Sequence, residues 1–328
     1  MSLFISVLTP VWNRSKMLPR VLESLNKQTY KNFEWLVGND GSTDDFQSRF
    51  DHLVARSSFP MVLIDSNIRV GKAKIDNCLI KESSGDLILW CDSDDILVPT
   101  ALQEIADSWN SIPEAYLSEF IGLTAICSAN QIPLLSNELP ESNFYPSWND
   151  LECKYNIKQD MVFVTRASAL KNHPFPEVDY VVPERAVWTK IGTEKTIFIN
   201  KILKEVEYGN PNAISFSGKM QFCRGYAYAL AESYSNLRQY KYSFFHKLTS
   251  VTNFLRYSIH GDIPFLQSIE LWKGNTSLLF LFMMIPGAIV LALKDRLGGK
   301  VVKTHIDFEK NIQSSIIQIR KYQTKQSQ

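Results

Sequence analysis

Short apolar runs alternate with stretches of helical spacing along the first third of the chain. In these stretches, near 14–28, 44–55, 71–83 and 100–109, apolar residues recur every three or four positions, which predicts helices. The runs between them predict buried strands: "FISVL" (4–8), "FEWLVGN" (33–39), "MVLI" (61–64) and "DLILWC" (86–91). Because strands and helices alternate, we expect an α/β fold with a mostly parallel sheet flanked by helices.

The pattern weakens after residue 110. It predicts a strand at 120–129, a long loop at 131–158, a strand and turn at 161–170, a short helix at 183–191, strand-like segments at 196–200 and 202–209, helix from 221 to 260, and a last amphipathic helix near 306–321. We therefore predict one domain over residues 1–212 and a helical C-terminal region over residues 213–328.

One apolar run, "LLFLFMMIPGAIVLAL" at 278–293, has no charge and is followed by basic residues. It is shorter than the roughly twenty apolar residues of a membrane span. Three interpretations stay open: a buried core helix, a segment that dips into a membrane surface, and a single tilted span. The basic residues favour peripheral membrane contact through 278–303, since anionic headgroups would attract them.

Composition narrows the function classes. The 35 basic and 34 acidic side chains nearly cancel, so no overall field recruits nucleic acid. The five cysteines are scattered and odd in number, which suits a reducing compartment rather than a disulfide framework. The N-terminus has neither the basic start nor the cleavage site of a signal peptide. We expect a cytoplasmic location, at the cytoplasmic face of a membrane.

Candidate chemistry lies where the predicted strands end. Asp40 follows the second strand in "VGNDGSTDD", and Asp92, Asp94 and Asp95 follow the fourth in "WCDSDD". Ligands bind beyond the carboxyl ends of parallel strands, so both turns are expected to face one crevice. Neither a P-loop nor a G-x-G-x-x-G loop is present. Carboxylates repel phosphate unless a divalent cation lies between them, which indicates magnesium or manganese.

The sequence resembles the family 2 glycosyltransferases, an inverting family with the GT-A fold. The resemblance lies in six ordered blocks over about the first 210 residues: "SVLTPVWNR", "LNKQTYKNFEWLVGNDGSTD", "NIRVGKAKIDN", "SGDLILWCDSDDILVP", "FPEVDYVVPERAVW" and "IFINKILKEVEYG". It implies a metal-dependent transfer of a sugar, most simply from a UDP-sugar, to a glycan or lipid-linked acceptor in surface polysaccharide synthesis.

The resemblance also implies roles for single residues. Asp40 would bind the base, and Asp94 would bind the metal, with Asp92 as ribose or shared metal ligand. Glu184 would be the general base, with Asp179 as the alternative; Asp95 is left to orient the other carboxylates or cap the turn. Further residues would line the nucleotide pocket: Thr9, Pro10, Asn13, Lys72 and Asn77.

Three departures from the family pattern stand out. Asp76 stands where many relatives have arginine, and Asn39 where many have aspartate. Arg185 follows Glu184 where many have a second acid. The last departure supports an alternative, a non-catalytic nucleotide-sugar-binding scaffold on the same fold. A sugar-phosphate nucleotidyltransferase is disfavoured because "TPVWNR" contains no glycine. The sugar, acceptor, linkage and oligomeric state stay open.

Overall fold

The computed structural model describes most of the chain. The described residues are 2–135, 139, 144–207, 218–240, 243–272 and 276–323. Parts of the predicted 131–158 loop and of the predicted 202–209 strand therefore lie outside the described residues.

Four parallel strands and four helices alternate along the first 110 residues, as the apolar pattern predicts. The strands are β1 (Ile5–Val11), β2 (Phe33–Asn39), β3 (Met61–Ser66) and β4 (Leu87–Trp90). The helices are α1 (Leu18–Asn26), α2 (Phe46–Arg56), α3 (Lys72–Glu82) and α4 (Ala101–Asn110), and a short 3-10 turn at Ser15–Met17 precedes α1.

The middle of the chain extends this sheet with mostly antiparallel pairs. Its strands are β5 (Ile96–Leu97), β6 (Phe120–Ala129), β7 (Ile132–Pro133), β8 (Met161–Arg166) and β9 (Lys195–Glu205). Its helices are α5 (Glu114–Leu117), α6 (Trp148–Cys153), α7 (Ala167–Asn172) and α8 (Arg185–Ile191). The predicted loop at 131–158 thus contains β7 and α6, and the two predicted strand-like segments after 195 form the single strand β9.

The C-terminal region is helical, as predicted, until its last described residues. It contains α9 (Cys223–Asn236), α10 (Phe244–His260), α11 (Phe265–Trp272), α12 (Leu278–Leu297), α13 (His305–Ser314) and the strand β10 (Ile317–Tyr322), with a 3-10 turn at Lys219–Gln221. The predicted helix near 306–321 is therefore wrong at its end. Ile317–Tyr322 pairs antiparallel with β3 instead, because the outer edge of β3 offers unpaired backbone groups that a strand can satisfy.

The described strands form one sheet in the order β10-β3-β2-β1-β4-β8-β6-β9-β5, with β7 paired to β6. Alternate residues of β1 point to opposite sides: Val7 joins a core with α1, α2 and α4, and Leu8 joins a second core with α3, α7 and α8. Apolar burial on both faces explains why the strands read as continuous apolar runs.

Candidate active site

The site lies where β1, β2 and β4 end side by side. Val11 of β1 pairs with Asn39 of β2, and Leu8 of β1 pairs with Trp90 of β4. The "TPVWNR" loop, the turn at 40–44 and the acidic turn after β4 therefore leave the same edge of the sheet. Both acidic turns therefore lie at one edge of the sheet, and the space between them is the expected crevice.

Asn13 joins the first two of these loops. Its backbone N–H donates to Ser42 Oγ at 2.9 Å, and its Oδ1 accepts the backbone N–H of Thr43 at 2.7 Å. Asn13 adopts φ +54°, a left-handed conformation that asparagine tolerates better than most residues. Asn13 thus fixes the geometry of the crevice, whatever else it contacts.

Asp40 fastens the turn after β2 to the loop before α3. Its Oδ1 accepts the backbone N–H groups of Val70 at 2.6 Å and Gly71 at 2.8 Å. Burial raises the pKa of Asp40 to about 7, although these two donors and Arg69 oppose the shift. Gly71 is required here, since it adopts φ +91° and an added Cβ would lie 2.7 Å from Tyr180 Cα.

Arg69 is a site residue that the sequence did not reveal. Its guanidinium lies between two rings, 3.5 Å from the centroid of Trp12 and 4.6 Å from that of Tyr180. Its Nε lies 3.9 Å from Asp40 Oδ2. In α13, Asn311 Nδ2 donates to the Arg69 carbonyl at 3.1 Å and to Tyr180 Oη at 2.8 Å, so the C-terminal region braces this side of the crevice.

Cations surround the acidic turn after β4. Arg14 Nη1 lies 2.5 Å from Asp94 Oδ2, and Lys204 Nζ lies 2.7 Å from Asp95 Oδ2. Burial raises the pKa of Asp92 to about 7, against the attraction of Lys72. Lys204 was also missed, although a lysine within the apolar pattern of a strand is a usable signal, because lysine is seldom buried without a partner.

Glu184 lies across the crevice, at the start of α8. Its Oε1 is 2.7 Å from Lys72 Nζ, and its Oε2 accepts the indole N–H of Trp188 at 3.1 Å. Burial alone would raise the pKa of Glu184, but Lys72 and Trp188 outweigh it and the pKa is lowered. The Trp188 ring packs on Trp90, 5.2 Å between centroids, so α8 is held directly against the end of β4.

Lys72 connects this carboxylate to a second one. Its Nζ lies 2.8 Å from Asp76 Oδ2, and Asp76 is 1% exposed. Burial raises the pKa of Asp76 to about 6, although Lys72 opposes the shift. Asp76, to which the sequence assigned no role, therefore completes a Glu184–Lys72–Asp76 chain that runs from the half-buried Glu184 to the buried Asp76.

The other predicted residues occupy more structural positions. Asp179, the alternative base, accepts N–H groups from Tyr180 and Gly225 and is 1% exposed. Asn77 Nδ2 donates to the carbonyl of Phe175 and to Glu177, both at 2.9 Å. Thr9 is fully buried in β1, where its hydroxyl donates to the Cys91 carbonyl, while Pro10 beside it is half-buried.

The charges around the acidic turn do not balance. Counted together, the carboxylates in and around this turn outnumber the neighbouring ammonium and guanidinium groups by two. The carboxylates are Asp76, Asp92, Asp94, Asp95 and Glu184, and the cations are Arg14, Lys72 and Lys204. Burial is the main cause of the raised pKa of Asp92 and Asp76, and neighbouring carboxylates add to it. The excess of negative charge fits a divalent cation. Among the described residues, no three His, Cys, Asp or Glu side chains form a ready-made cage, so ligand oxygens would complete the coordination shell.

Comparison with known sequences identifies the family. The sequence model described as "Glycosyl transferase family 2" matches residues 6–120, which include Asp40, Lys72 and the acidic turn. The matched region belongs to glycosyltransferase family 2. Glu184 lies beyond the matched residues, so its position rests on the structure.

Two relatives match longer stretches of this chain, over 201 and 194 residues. A Campylobacter jejuni protein named GalNAc(5)-diNAcBac-PP-undecaprenol beta-1,3-glucosyltransferase is 26% identical over 61% of this chain and 63% of its own length, less than two thirds. An Escherichia coli protein named UDP-Glc:alpha-D-GlcNAc-diphosphoundecaprenol beta-1,3-glucosyltransferase WfaP is 27% identical over 57% of this chain and 69% of its own length.

A solved structure resembles nearly the whole chain. S. aureus TarS 1-349, crystallised in complex with UDP-GlcNAc, aligns over 94% of this chain and 91% of that protein with a TM-score of 0.55 and 15% identity. At this identity the likeness concerns the fold alone. It confirms the GT-A fold expected from the sequence, with its helical C-terminal region.

Proposed function

We propose that this protein is an inverting, metal-dependent glycosyltransferase that moves a hexose from a nucleotide sugar, most simply a UDP-sugar, to a lipid-linked glycan. One observation carries the proposal. Asp92 and Asp94 follow the end of β4, and Glu184 lies 2.7 Å from Lys72 Nζ, which also attracts Asp92. The proposed diphosphate site and the proposed base are therefore neighbours. Family membership supports the reaction class.

The donor would lie along the loops after β1 and β2. In this proposal Asp40 binds the base of the nucleotide, and Arg69 fixes the positions of Asp40 and Trp12 by contacting both. Asp94 and Asp92 would hold magnesium or manganese, which when bound neutralises the diphosphate leaving group. For Asp94 to bind the metal through Oδ2, Arg14 would have to move away from that oxygen or share it with the metal.

Glu184 would accept the proton of the acceptor hydroxyl. An inverting displacement needs a base on the face of the sugar opposite the leaving group. Because Lys72 lowers the pKa of Glu184, this carboxylate is ionised at neutral pH and can take up a proton. Trp188 fixes the orientation of the carboxylate through Oε2. Asp179 is the weaker candidate, since it is 1% exposed, whereas the Glu184 side chain is 36% exposed and can meet an acceptor.

The names of the relatives support the acceptor class. The C. jejuni and E. coli proteins are both named for glucosyl transfer to undecaprenol-diphosphate-linked sugars, and the latter for UDP-glucose as donor. We therefore propose a sugar linked to a polyprenyl diphosphate as acceptor, in the synthesis of a surface glycan. The particular sugars differ between relatives and are not inferred.

The test is a thermal-shift panel of UDP-, GDP- and dTDP-sugars with and without Mn²⁺, followed by transfer assays. A donor at 100 times its dissociation constant adds about 2.7 kcal/mol to the free energy of unfolding. We expect a UDP-sugar with Mn²⁺ to raise the melting temperature, and Asp94→Asn to abolish the metal-dependent part. Asp51→Asn, on the exposed surface of α2, is the matched control.

The same panel tests the scaffold alternative. Donor stabilisation without transfer to any lipid-linked acceptor would favour a non-catalytic binding protein, and no response to any nucleotide sugar would reject both functions. The departure at Arg185 gives the scaffold little support. Arg185 pairs with Glu152 of α6, so it does not neutralise Glu184.

A further inference from the structure

Helix α12 exposes an apolar face along its length. Its solvent-facing side chains recur at helical spacing, and several are more than half exposed. The exposed apolar residues are Leu278, Leu279, Phe282, Met283, Ile289, Val290, Leu293 and Leu297. A soluble protein seldom leaves such a contiguous apolar surface uncovered, so this face indicates an interaction site.

Aromatic residues of two neighbouring helices enlarge the face. Phe244, at the start of α10, contacts Phe280 with 6.4 Å between ring centroids, and Phe265, at the start of α11, contacts Phe282 at 5.8 Å. Phe245 is 78% exposed beside Phe244. We call this combined surface of α12 and the starts of α10 and α11 the apolar platform.

The opposite side of α12 is fixed to the protein. Leu281, Ala288 and Ala292 are buried, chiefly against α10. Near the helix end, Asp295 is 3% exposed and accepts two hydrogen bonds of 2.5 Å from Arg256 of α10. A helix that crossed a bilayer would draw this charged pair and the polar residues of α10 toward the hydrocarbon. The attachment therefore favours α12 lying in the plane of a membrane surface.

Charge indicates which surface the platform meets. Lys294, Arg296 and Lys300 are exposed at the C-terminal end of α12, directly after the apolar face. An apolar face followed by cations is the pattern of helices that insert among anionic headgroups. Among described residues, α12 is also the one helix long and apolar enough to pass a length-and-composition test for membrane spans.

A cavity behind the platform suits hydrocarbon chains. It has a volume of about 310 Å³ and lies between α10, α11 and α12. Phe265 and Ile289 line it and also belong to the exposed platform, so the cavity opens at that surface. Leu255, Ile259 and Ile285 make its inner wall apolar. An acyl or prenyl chain could enter this space.

We propose that the apolar platform docks the protein on an anionic lipid bilayer, with α12 in the plane of the headgroups. This goes beyond the proposed transfer reaction, and the docking needs no donor or acceptor. It would bring the enzyme to an acceptor confined to the membrane. The expected location at the cytoplasmic face of a membrane is part of this proposal.

Vesicle sedimentation of the full chain tests the docking. We expect binding to vesicles of phosphatidylcholine with phosphatidylglycerol and at least tenfold weaker binding to phosphatidylcholine alone. Leu279→Glu with Val290→Glu should reduce binding to anionic vesicles at least tenfold, since two charges would enter the apolar contact. Tyr116→Glu with Ile132→Glu is the matched control, because both residues are exposed apolar side chains outside the platform.

Four results would overturn the proposal. The first is that wild-type protein does not bind anionic vesicles, and the second is that the platform variants bind them as well as wild type. The third is light scattering that shows a dimer which the platform variants dissociate, since the platform would then be covered by a second copy. The fourth is bound protein that alkaline carbonate does not extract and only detergent releases, since α12 would then span the bilayer instead of lying in its plane.

Further measurements distinguish a loss of membrane docking from a loss of folding or of the proposed function. Melting temperature and nucleotide-sugar stabilisation of the platform variants should equal those of wild type, because the platform lies outside the crevice. Lys294→Ala with Lys300→Ala should lower binding to anionic vesicles about tenfold and leave binding to neutral vesicles unchanged. A protein that docks but transfers no sugar would refute the proposed function and leave the platform intact.

Discussion

Lys72 Nζ lies 2.7 Å from Glu184 Oε1. This ion pair joins the start of α3 to the start of α8, two segments more than a hundred residues apart in the chain. It also ties the proposed base to the acidic turn, because Lys72 attracts Asp92. The pair therefore connects donor binding, base chemistry and stability, and each connection can be tested.

Glu184→Gln should separate binding from transfer. The amide keeps the size of the side chain and can still accept a hydrogen bond, but it cannot take up a proton at neutral pH. We expect transfer to fall by roughly 10²- to 10⁴-fold, the usual contribution of a general base. Donor stabilisation should persist in thermal-shift assays.

Asp179→Asn serves as the comparison for the base assignment. Its backbone partners point to a structural role, so transfer per folded molecule should stay within a few-fold of wild type. If Glu184→Gln turns over normally and Asp179→Asn does not, the assignment of the base is reversed.

Lys72→Met should destabilise the protein because it leaves buried carboxylates without their cation. Removing one partner of a buried pair costs about 3 kcal/mol or more. Asp76 already has a pKa of about 6, so at pH 5 it can take up a proton and relieve the repulsion. The loss of unfolding free energy should therefore be larger at pH 8 than at pH 5, as measured by urea denaturation.

A double variant sharpens this test. Lys72→Met with Asp76→Asn removes both charges and should recover most of the stability at pH 8. It should not recover transfer, since Glu184 would still lack its cation. Equal stability of wild type and Lys72→Met at pH 8 would contradict the buried-pair interpretation.

Asp40 should make the protein less stable as pH rises toward neutrality. Its pKa is raised to about 7 in the folded state, whereas an unfolded aspartate has a pKa of about 4. Between these values the folded state binds more protons, so the free energy of unfolding falls as pH rises. Asp40→Asn removes this term, so its free energy of unfolding relative to wild type should rise by about 2.5 kcal/mol between pH 5 and pH 8.

The pH profile of Asp51→Asn provides the control, since Asp51 contacts Gln47 on the exposed surface of α2. Its unfolding free energy should follow that of wild type at each pH. A pH-independent difference between Asp40→Asn and wild type would show that Asp40 does not titrate in this range.

Truncation after Ser315 should destabilise the β3 side of the sheet. The deletion removes β10 and leaves the outer edge of β3 unpaired, an edge that favours aggregation. We expect a melting temperature several degrees lower and increased light scattering on heating. Truncation after Gln323 keeps β10 and is the matched control. Equal melting of the two proteins would show that β10 adds little to the sheet.

Much of the sheet could be predicted because local patterns encode it. The strands β1 to β4 read as apolar runs since both of their faces are buried, and β6 was predicted at 120–129 for the same reason. β10 was predicted as helix because its side chains are mostly half or fully exposed and carry no strong strand pattern. Its pairing with β3 is decided by a partner about 250 residues earlier in the chain.

The candidate site divides in the same way. Sequence alone determined the carboxylates at the strand ends and the order of the family blocks, since residue type and spacing follow from the chain itself. Only the tertiary structure decided which cation meets which carboxylate: Arg14 with Asp94, Lys204 with Asp95, and Lys72 with both Asp76 and Glu184. Such pairings depend on distances of a few ångströms between segments far apart in sequence, which no local pattern records.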